Sequence, residues 1–277
     1  MSARQRYHTA MKNLSLHEQR VARLFDYLRE HYAHAPDVHR LAEEAHLSPW
    51  YLHRFYHQLM GETLHATVKW MRLHRAAWLL SNSDKSVATI ARECGYQGNA
   101  QSFARLFRDA YGMTPHQYRQ RPAPAFAVEV VQLAALPLAG LAHHGDYQRL
   151  GESYAKLEAL LRLRGQMPDA PRVFALLYGD PVQIAEDDLR SFIAIAGDHA
   201  DAPISTQTLP AGRYARLQHH GAAAEIDRVF CWFFTVWLPG TDWQADADTP
   251  AVIEFLSPLR DGDANAQRFQ IYIPLRE

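Results

Sequence analysis

A chain of 277 residues is too long for one small helical module and suits two domains, and a hydrophobic content of 48% supplies ordinary cores. No run approaches the ~18 apolar residues needed to span a bilayer, and the opening MSARQRYHTAMKN lacks the apolar stretch of a secretory signal. The net charge of −1 hides a division: residues 1–122 hold 17 Lys and Arg against 10 Asp and Glu, while residues 123–277 hold 12 against 20. A basic front half fits a polyanionic partner, because phosphate neutralisation supplies most non-specific affinity for DNA. The acidic back half is expected to stay off it. Eleven of the 16 histidines lie in the front half, so its charge grows below pH ~6.5. Cys94 and Cys231 sit in apolar stretches of different halves and read as reduced core residues. The expectation is a cytoplasmic, nucleoid-associated protein with no membrane contact.

Leu16–Tyr32 sets Val21, Leu24, Phe25, Leu28 and Tyr32 on one stripe, the spacing of an amphipathic packing helix. Pro36-Asp37 breaks the chain and caps a short helix from Val38 to about His46, with Leu41, Ala42 and Ala45 inward. Ser48-Pro49 starts the next helix, since the serine oxygen caps free N–H groups and proline suits the first helical position. That helix runs to Leu59, with Gly61 placed to end it. Leu52, Phe55, Tyr56 and Leu59 form its buried stripe, and Trp50, His53, Arg54 and His57 project on the other side. Thr63 to about Ser81 reads as one long helix. Ser86 caps a helix through Cys94, with Gly95 at its end, and Asn99 caps another through Tyr111. In the latter, Phe103, Leu106, Phe107 and Tyr111 pack, leaving Gln101, Ser102, Arg105 and Arg108 available. Thr114-Pro115 opens a final short helix ending in Arg119, Gln120 and Arg121.

These elements are two copies of one unit, at about 37–60 and 86–111. Leu41-Ala42 is echoed by Ile90-Ala91, Arg54 by Arg105, Gly61 by Gly112 and Thr63 by Thr114. Each copy spells a helix-turn-helix, and the long helix between them fixes their spacing. Such a tandem can lay two recognition helices into successive major grooves of a duplex. The chemistry suits the side chains: Arg bonds guanine O6 and N7 together, Gln does the same for adenine N6 and N7, and each good pair gives ~1–3 kcal/mol of discrimination. Trp50 can supply apolar contact with a thymine methyl or a sugar. Arg54 and Arg105 are open to two roles, base contact or pairing with phosphate and acidic neighbours, while His57 and Arg108 suit phosphate contact or solvent.

LAEEAHLSPWYLHRFYHQLMGETL and IARECGYQGNAQSFARLFRDAYGMTPHQYR resemble the DNA-binding domain of the AraC/XylS transcriptional regulators, over roughly residues 18–121. The resemblance implies adjacent major-groove contacts by the two recognition helices, activation of transcription and contact with RNA polymerase. Carried over by position, the DNA contacts fall on Trp50, His53, Arg54, Gln101, Ser102 and Arg105. One extra residue between Gly95 and Arg105, relative to the commonest family spacing, leaves the second register open by one.

Pro122-Ala-Pro124 marks a linker, so the expected division is 1–121, a linker at 122–125, and 126–277. Strands are predicted at Ala127–Leu133, Pro137–His143, Arg172–Tyr178, Leu189–Ile195, Ile204–Leu209, Gly212–His219, Ala251–Ser257 and Phe269–Leu275, with helices at Leu150–Leu163 and near Ala224–Leu238. This half is itself duplicated: Leu141-Ala-His-His-Gly145 recurs as Leu217-Gln-His-His-Gly221. The predicted fold class is therefore multidomain α and α+β. An all-α tandem helix-turn-helix domain precedes two ββαβ-like repeats, which form an antiparallel sheet with helices on one face. The seam between the repeats is a natural place for a cleft.

Phe230, Trp232, Phe233, Phe234, Trp237 and Trp243 crowd a short stretch. One helical face needs only some of them, so Trp237 and Trp243 are open either to a pocket or to a core and dimer patch. Glu254 stands in the otherwise apolar Ala251-Val-Ile-Glu-Phe255 strand, where a carboxylate is costly unless paired. It is either a satisfied structural group or a ligand contact, and a carboxylate among aromatics suits an organic cation.

Leu177-Tyr-Gly-Asp-Pro181, Trp237-Leu-Pro239, Pro250-Ala-Val-Ile-Glu254 and Ile271-Tyr-Ile-Pro274 resemble the gyrase-inhibitor-like (GyrI-like) effector-binding domain, over about residues 126–276. The resemblance implies a small-molecule effector, cationic or aromatic, with Glu254 as the pocket acid and Trp237, Tyr178, Phe174 and Tyr147 as ring contacts. The usual Gly-Pro-Tyr entering the second helix reads Gly221-Ala-Ala-Ala224 here, which removes one ring. Two other functions compete: a hydrolase with Glu254 as general base, and a protein-docking module. Adjacent histidines on a strand point to opposite faces, and no Cys or carboxylate cluster completes a zinc set. The expectation is no metal, no cofactor and no catalytic residue.

Overall fold

The computed structural model describes residues 15–31, 37–96, 100–121, 126–179, 188–198, 201–259 and 267–276. Tyr32, Asn99 and the linker at 122–125 lie outside them. Helix α1 (Leu16–His31) opens with a reciprocal cap: Ser15 N–H donates to Glu18 at 2.8 Å, and Glu18 N–H donates to the Ser15 hydroxyl at 3.3 Å. Asp37 caps α2 (Val38–Glu44), Ser48 caps α3 (Pro49–Met60), Thr63 caps α4 (Leu64–Asn82) and Ser86 caps α5 (Val87–Glu93). Helices α6 (Ala100–Tyr111) and α7 (Pro115–Arg119) complete the front half, α7 with a Thr114–Gln117 capping box. Gly61 ends α3 at φ 73°, its N–H on the His57 carbonyl at 2.9 Å. The turn between α2 and α3 places His46 at φ 51°, and the matching turn after α5 uses Gly95 at φ 81°. Both turns therefore need the left-handed conformation, and only the second supplies glycine for it.

The expected inward stripes are buried: Val21, Leu24, Phe25 and Leu28 in α1, Leu52 and Tyr56 in α3, Phe103, Phe107 and Tyr111 in α6. Helix α4 serves both units. Its Leu64, Val68 and Met71 join the core of the first, and Leu73, Ala76, Ala77 and Leu80 that of the second.

The back half forms strands β1 (Val128–Leu133), β2 (Leu136–His144), β3 (Val173–Tyr178), β4 (Arg190–Ala196), β5 (Ser205–Leu209), β6 (Gly212–His220), β7 (Gln244–Ala245), β8 (Ala251–Phe255) and β9 (Arg268–Arg276). Helix α8 (Leu150–Leu163) belongs to the first repeat. Helix α9 (Ile226–Trp232), continued by a wider turn over Phe233–Trp237, belongs to the second. Every pairing is antiparallel, in the order β1-β6-β9-β8-β3-β4-β2-β5, with β7 on β9. The first repeat thus runs strand-strand-helix-strand-strand, and the second does the same with the two-residue β7 added after its helix. The two repeats also exchange their first strands, β1 lying beside β6 and β5 beside β2. A pseudo-two-fold axis falls between β3 and β8.

One face of the sheet packs against α8 and α9 through Leu141, Ala175, Ile193, Leu217, Ile253 and Ile271. The alternate residues Leu138, Phe174, Leu176, Phe192, Tyr214 and Val252 form a separate cluster on the other face. At the seam that second face is filled by its own side chains, with Phe174 1% and Leu176 and Val252 0% exposed.

The helix face of the back half is docked on the front half, and both belong to one apolar cluster. Ion pairs frame the contact: Arg164–Glu18 at 2.5 Å, Lys156–Asp26 at 2.7 Å, Arg75–Asp146 at 2.5 Å and Arg121–Glu225 at 2.7 Å. Helix α4 meets both repeats, Arg75 reaching Asp146 of the first and Trp78 Nε1 donating to Asp227 of the second at 2.6 Å. The helix that spaces the two helix-turn-helix units is thus also a contact of both halves of the sheet domain. Cys94 is buried as expected. Cys231 is exposed, which corrects its assignment to the core: it lies on the solvent side of α9, whose Ile226 and Val229 face the sheet.

Candidate nucleic-acid interface and effector site

The Ser48 cap fixes where α3 begins, and burial of the apolar stripes of α3 and α6 decides which side chains remain outside. On α3, Trp50 is 65% exposed, and the Arg54 guanidinium lies 4.7 Å from its ring centroid. His53, Arg54, His57, Gln58 and Thr63 line a shallow groove beside it. Below that surface, the Tyr56 hydroxyl meets Thr67 at 2.5 Å, and Thr67 donates to Glu62 at 2.6 Å, locking α3 to α4. On α6, Gln101, Ser102 and Arg105 are exposed, and so is Arg108 one turn on. All six expected DNA contacts therefore lie on solvent-facing sides of the two helices. Gln58 and Thr63, absent from the sequence expectation, join the first group because α3 and the start of α4 wall the same groove.

The expected effector residues divide between the two sides of the sheet. Glu254 is buried on the face away from the helices, opposite Phe174 in the β3–β8 register. Tyr178 is on that face too, two alternations along β3, its hydroxyl bonded to Gln207. Trp237 is not with them: it stacks on Phe233 at 5.0 Å and packs into the helix-side core. Tyr147 is likewise helix-side, donating to the Arg190 carbonyl at 3.0 Å. Strand alternation puts Glu254, Phe174 and Tyr178 on one face, while Trp237 and Tyr147 belong to the helical segments packed on the other. Trp243 packs against the helix-side core with Arg213 5.0 Å from its ring.

Both Glu254 oxygens are satisfied. Arg172 donates to Oε1 through Nε at 2.9 Å and Nη2 at 2.8 Å, and the Tyr272 hydroxyl lies 3.0 Å from Oε2, sharing its one proton between Glu254 and the Gln270 side-chain oxygen. Burial and the Glu254 charge raise the Tyr272 hydroxyl well above its ordinary range, keeping it a donor. Arg172 also lies 5.1 Å from the Phe174 ring centroid. It carried no signal in sequence, since a basic residue before an apolar strand acquires meaning only through the register that sets it beside Glu254.

The paired histidines separate as strand geometry requires: His143 and His219 are buried, His144 and His220 exposed. His143 contacts Ser153 Oγ at 2.8 Å and the Asp146 carbonyl at 3.0 Å. Burial, with the charges of Arg121, His220 and Arg228, pushes the His219 imidazole down to about 4. Among the described residues no group of three or more His, Cys, Asp or Glu could hold a metal ion, and no helix is long and apolar enough to cross a membrane.

Residues 41–121 match a helix-turn-helix domain family, and residues 126–276 match the GyrI-like small molecule binding domain family. Regulatory protein SoxS of Salmonella typhimurium (strain LT2) is 30% identical over 105 residues, 38% of this chain and 97% of SoxS. The transcriptional activator RhaS of Salmonella schwarzengrund is 34% identical over 110 residues, 40% of this chain but only 39% of RhaS. Among solved structures, the DNA-binding domain of AdpA in complex with a target DNA is similar at 29% identity and a TM-score of 0.33, covering 36% of this chain and 88% of that one. The chain belongs to the AraC/XylS-type helix-turn-helix regulators in its front half and to the GyrI-like small molecule binding domain family in its back half.

Proposed function

We propose that this chain is a transcription activator that grips one side of a DNA duplex through two adjacent major grooves, under control of a small-molecule effector. The observation that carries the proposal is the pair of helices α3 and α6, each with an apolar side sealed into a core and a polar side left open, joined by α4. Trp50, His53 and Arg54 form one reading edge, and Gln101, Ser102 and Arg105 the other. The division into a DNA-reading part to residue 121, a linker at 122–125 and an effector part from 126 belongs to the same proposal. A polymerase contact and a cytoplasmic setting belong to the same proposal, and a regulatory rather than catalytic role is supported by relatives that are regulators by name.

Effector binding belongs to the sheet face that carries Glu254, Phe174 and Tyr178. Helix α4 offers the route from there to DNA, because it touches both repeats and spaces both reading helices. Coupling requires that ligand favour one relative setting of the repeats over another. The test is hydroxyl-radical footprinting of the full chain on DNA selected from a random pool. Two protected patches one helical turn apart on a single side are expected. One patch alone, or no preference over random duplex at moderate salt, would overturn the proposal.

A further inference from the structure

Arg172 stands just before β3, on the face that carries Glu254, and its side chain is 59% exposed while that of Glu254 is 9% exposed. Its guanidinium makes two contacts at once, a double hydrogen bond to one carboxylate oxygen and an approach to the Phe174 ring. These are the interactions by which a carboxylate beside an aromatic ring would hold a planar organic cation. We propose that Arg172 is the specificity-determining residue of this site: a tethered cation seated against Glu254 and Phe174, which an organic cation must displace to enter. The proposal rests on the Glu254 face being the effector site.

The physics favours a gate over a permanent plug. Glu254 is fixed on a central strand and needs a partner, and the Tyr272 hydroxyl serves only one of its oxygens. Arg172 has most of its side chain in water, so swinging outward rehydrates the guanidinium at little cost, as for other ion pairs with a solvated member. Because the competitor is attached to the chain, its effective concentration is on the order of millimolar, and it weakens every free cation in proportion. A neutral planar molecule gains nothing from Glu254 and competes only for the ring. The charge class of the effector is therefore set by Arg172 and Glu254 together.

The test titrates the full-length chain with 10-methylacridinium as a planar cation and with acridine, at a pH where it is neutral, following fluorescence at constant salt. Arg172→Gln should raise affinity for the cation by about tenfold or more and change the neutral probe less than twofold. Arg172→Lys, which keeps a charge but loses the planar fork, should give a smaller gain. The double variant Arg172→Gln with Glu254→Gln leaves no unpaired charge, so it keeps the test valid if the single variant folds poorly, and it should lose the cation preference. If Arg172→Gln leaves cation affinity unchanged while the wild type binds either probe saturably, the gate is refuted and the effector site stands. If no variant binds either probe, both are refuted.

Discussion

Docking of the sheet domain on α4 can be tested at Gly151, in the first turn of α8. A Cβ built there would lie 2.2 Å from Trp70 Cη2 and 3.0 Å from Cζ3, so the indole would have to move. In an undocked helix Gly151→Ala would add up to ~1 kcal/mol of stability through helix propensity. In the docked chain it must also overpack a filled contact, which typically costs ~1–3 kcal/mol. The second effect wins, and a net loss of about 1–2 kcal/mol is expected. Trp70→Leu removes the obstructing ring, so adding Gly151→Ala in that background should be neutral or stabilising. The coupling between the two positions should then be about 2 kcal/mol. Urea unfolding of the wild type, both single variants and the double variant measures it through the shift in midpoint. If Gly151→Ala raised the midpoint equally in both backgrounds, Trp70 would not be seated against α8 in solution, and the α4 route would fall with it.

Arg54→Ala and Arg105→Ala should each weaken binding to the selected DNA by ~1–3 kcal/mol and flatten preference at one base pair. Competition binding against single-base variants of the site measures this, and a uniform loss across all sequences would mark the residue as a phosphate contact. Burial holds the folded-state pKa of His219 at about 4, below its ordinary 6.5, so the unfolded chain takes up the proton first. The stability this contributes is full above pH ~6.5 and is lost as pH falls toward ~4. His219→Asn should shrink the decline of the urea midpoint across that window, and an unchanged slope would show that other groups govern it.

Much of the front half was legible from local chemistry. Ser48, Thr63, Ser86 and Thr114 each precede a helix and bond the backbone N–H three residues on, and Gly61 sits where a left-handed residue closes α3. These are interactions between near neighbours in the chain, so sequence order carries them. Apolar spacing likewise separated the buried Tyr56 and Phe103 from the exposed Arg54 and Arg105, because helical period alone sets that division. The repeat of Leu141–Gly145 at Leu217–Gly221 announced a duplicated sheet domain by the same local logic.

Register, strand exchange and docking were decided only in three dimensions. Nothing near β1 or β5 in sequence says that each pairs with the other repeat, since antiparallel partners are chosen by the whole sheet's burial. Trp237 and Glu254 looked like members of one pocket, yet they fall on opposite sides of a sheet whose side chains alternate strictly. Arg172 and Glu254, or Trp70 and Gly151, meet only because β3 pairs with β8 and α4 lies against α8. Local backbone preferences propagate a few residues, whereas these contacts depend on where distant segments settle to bury apolar surface together.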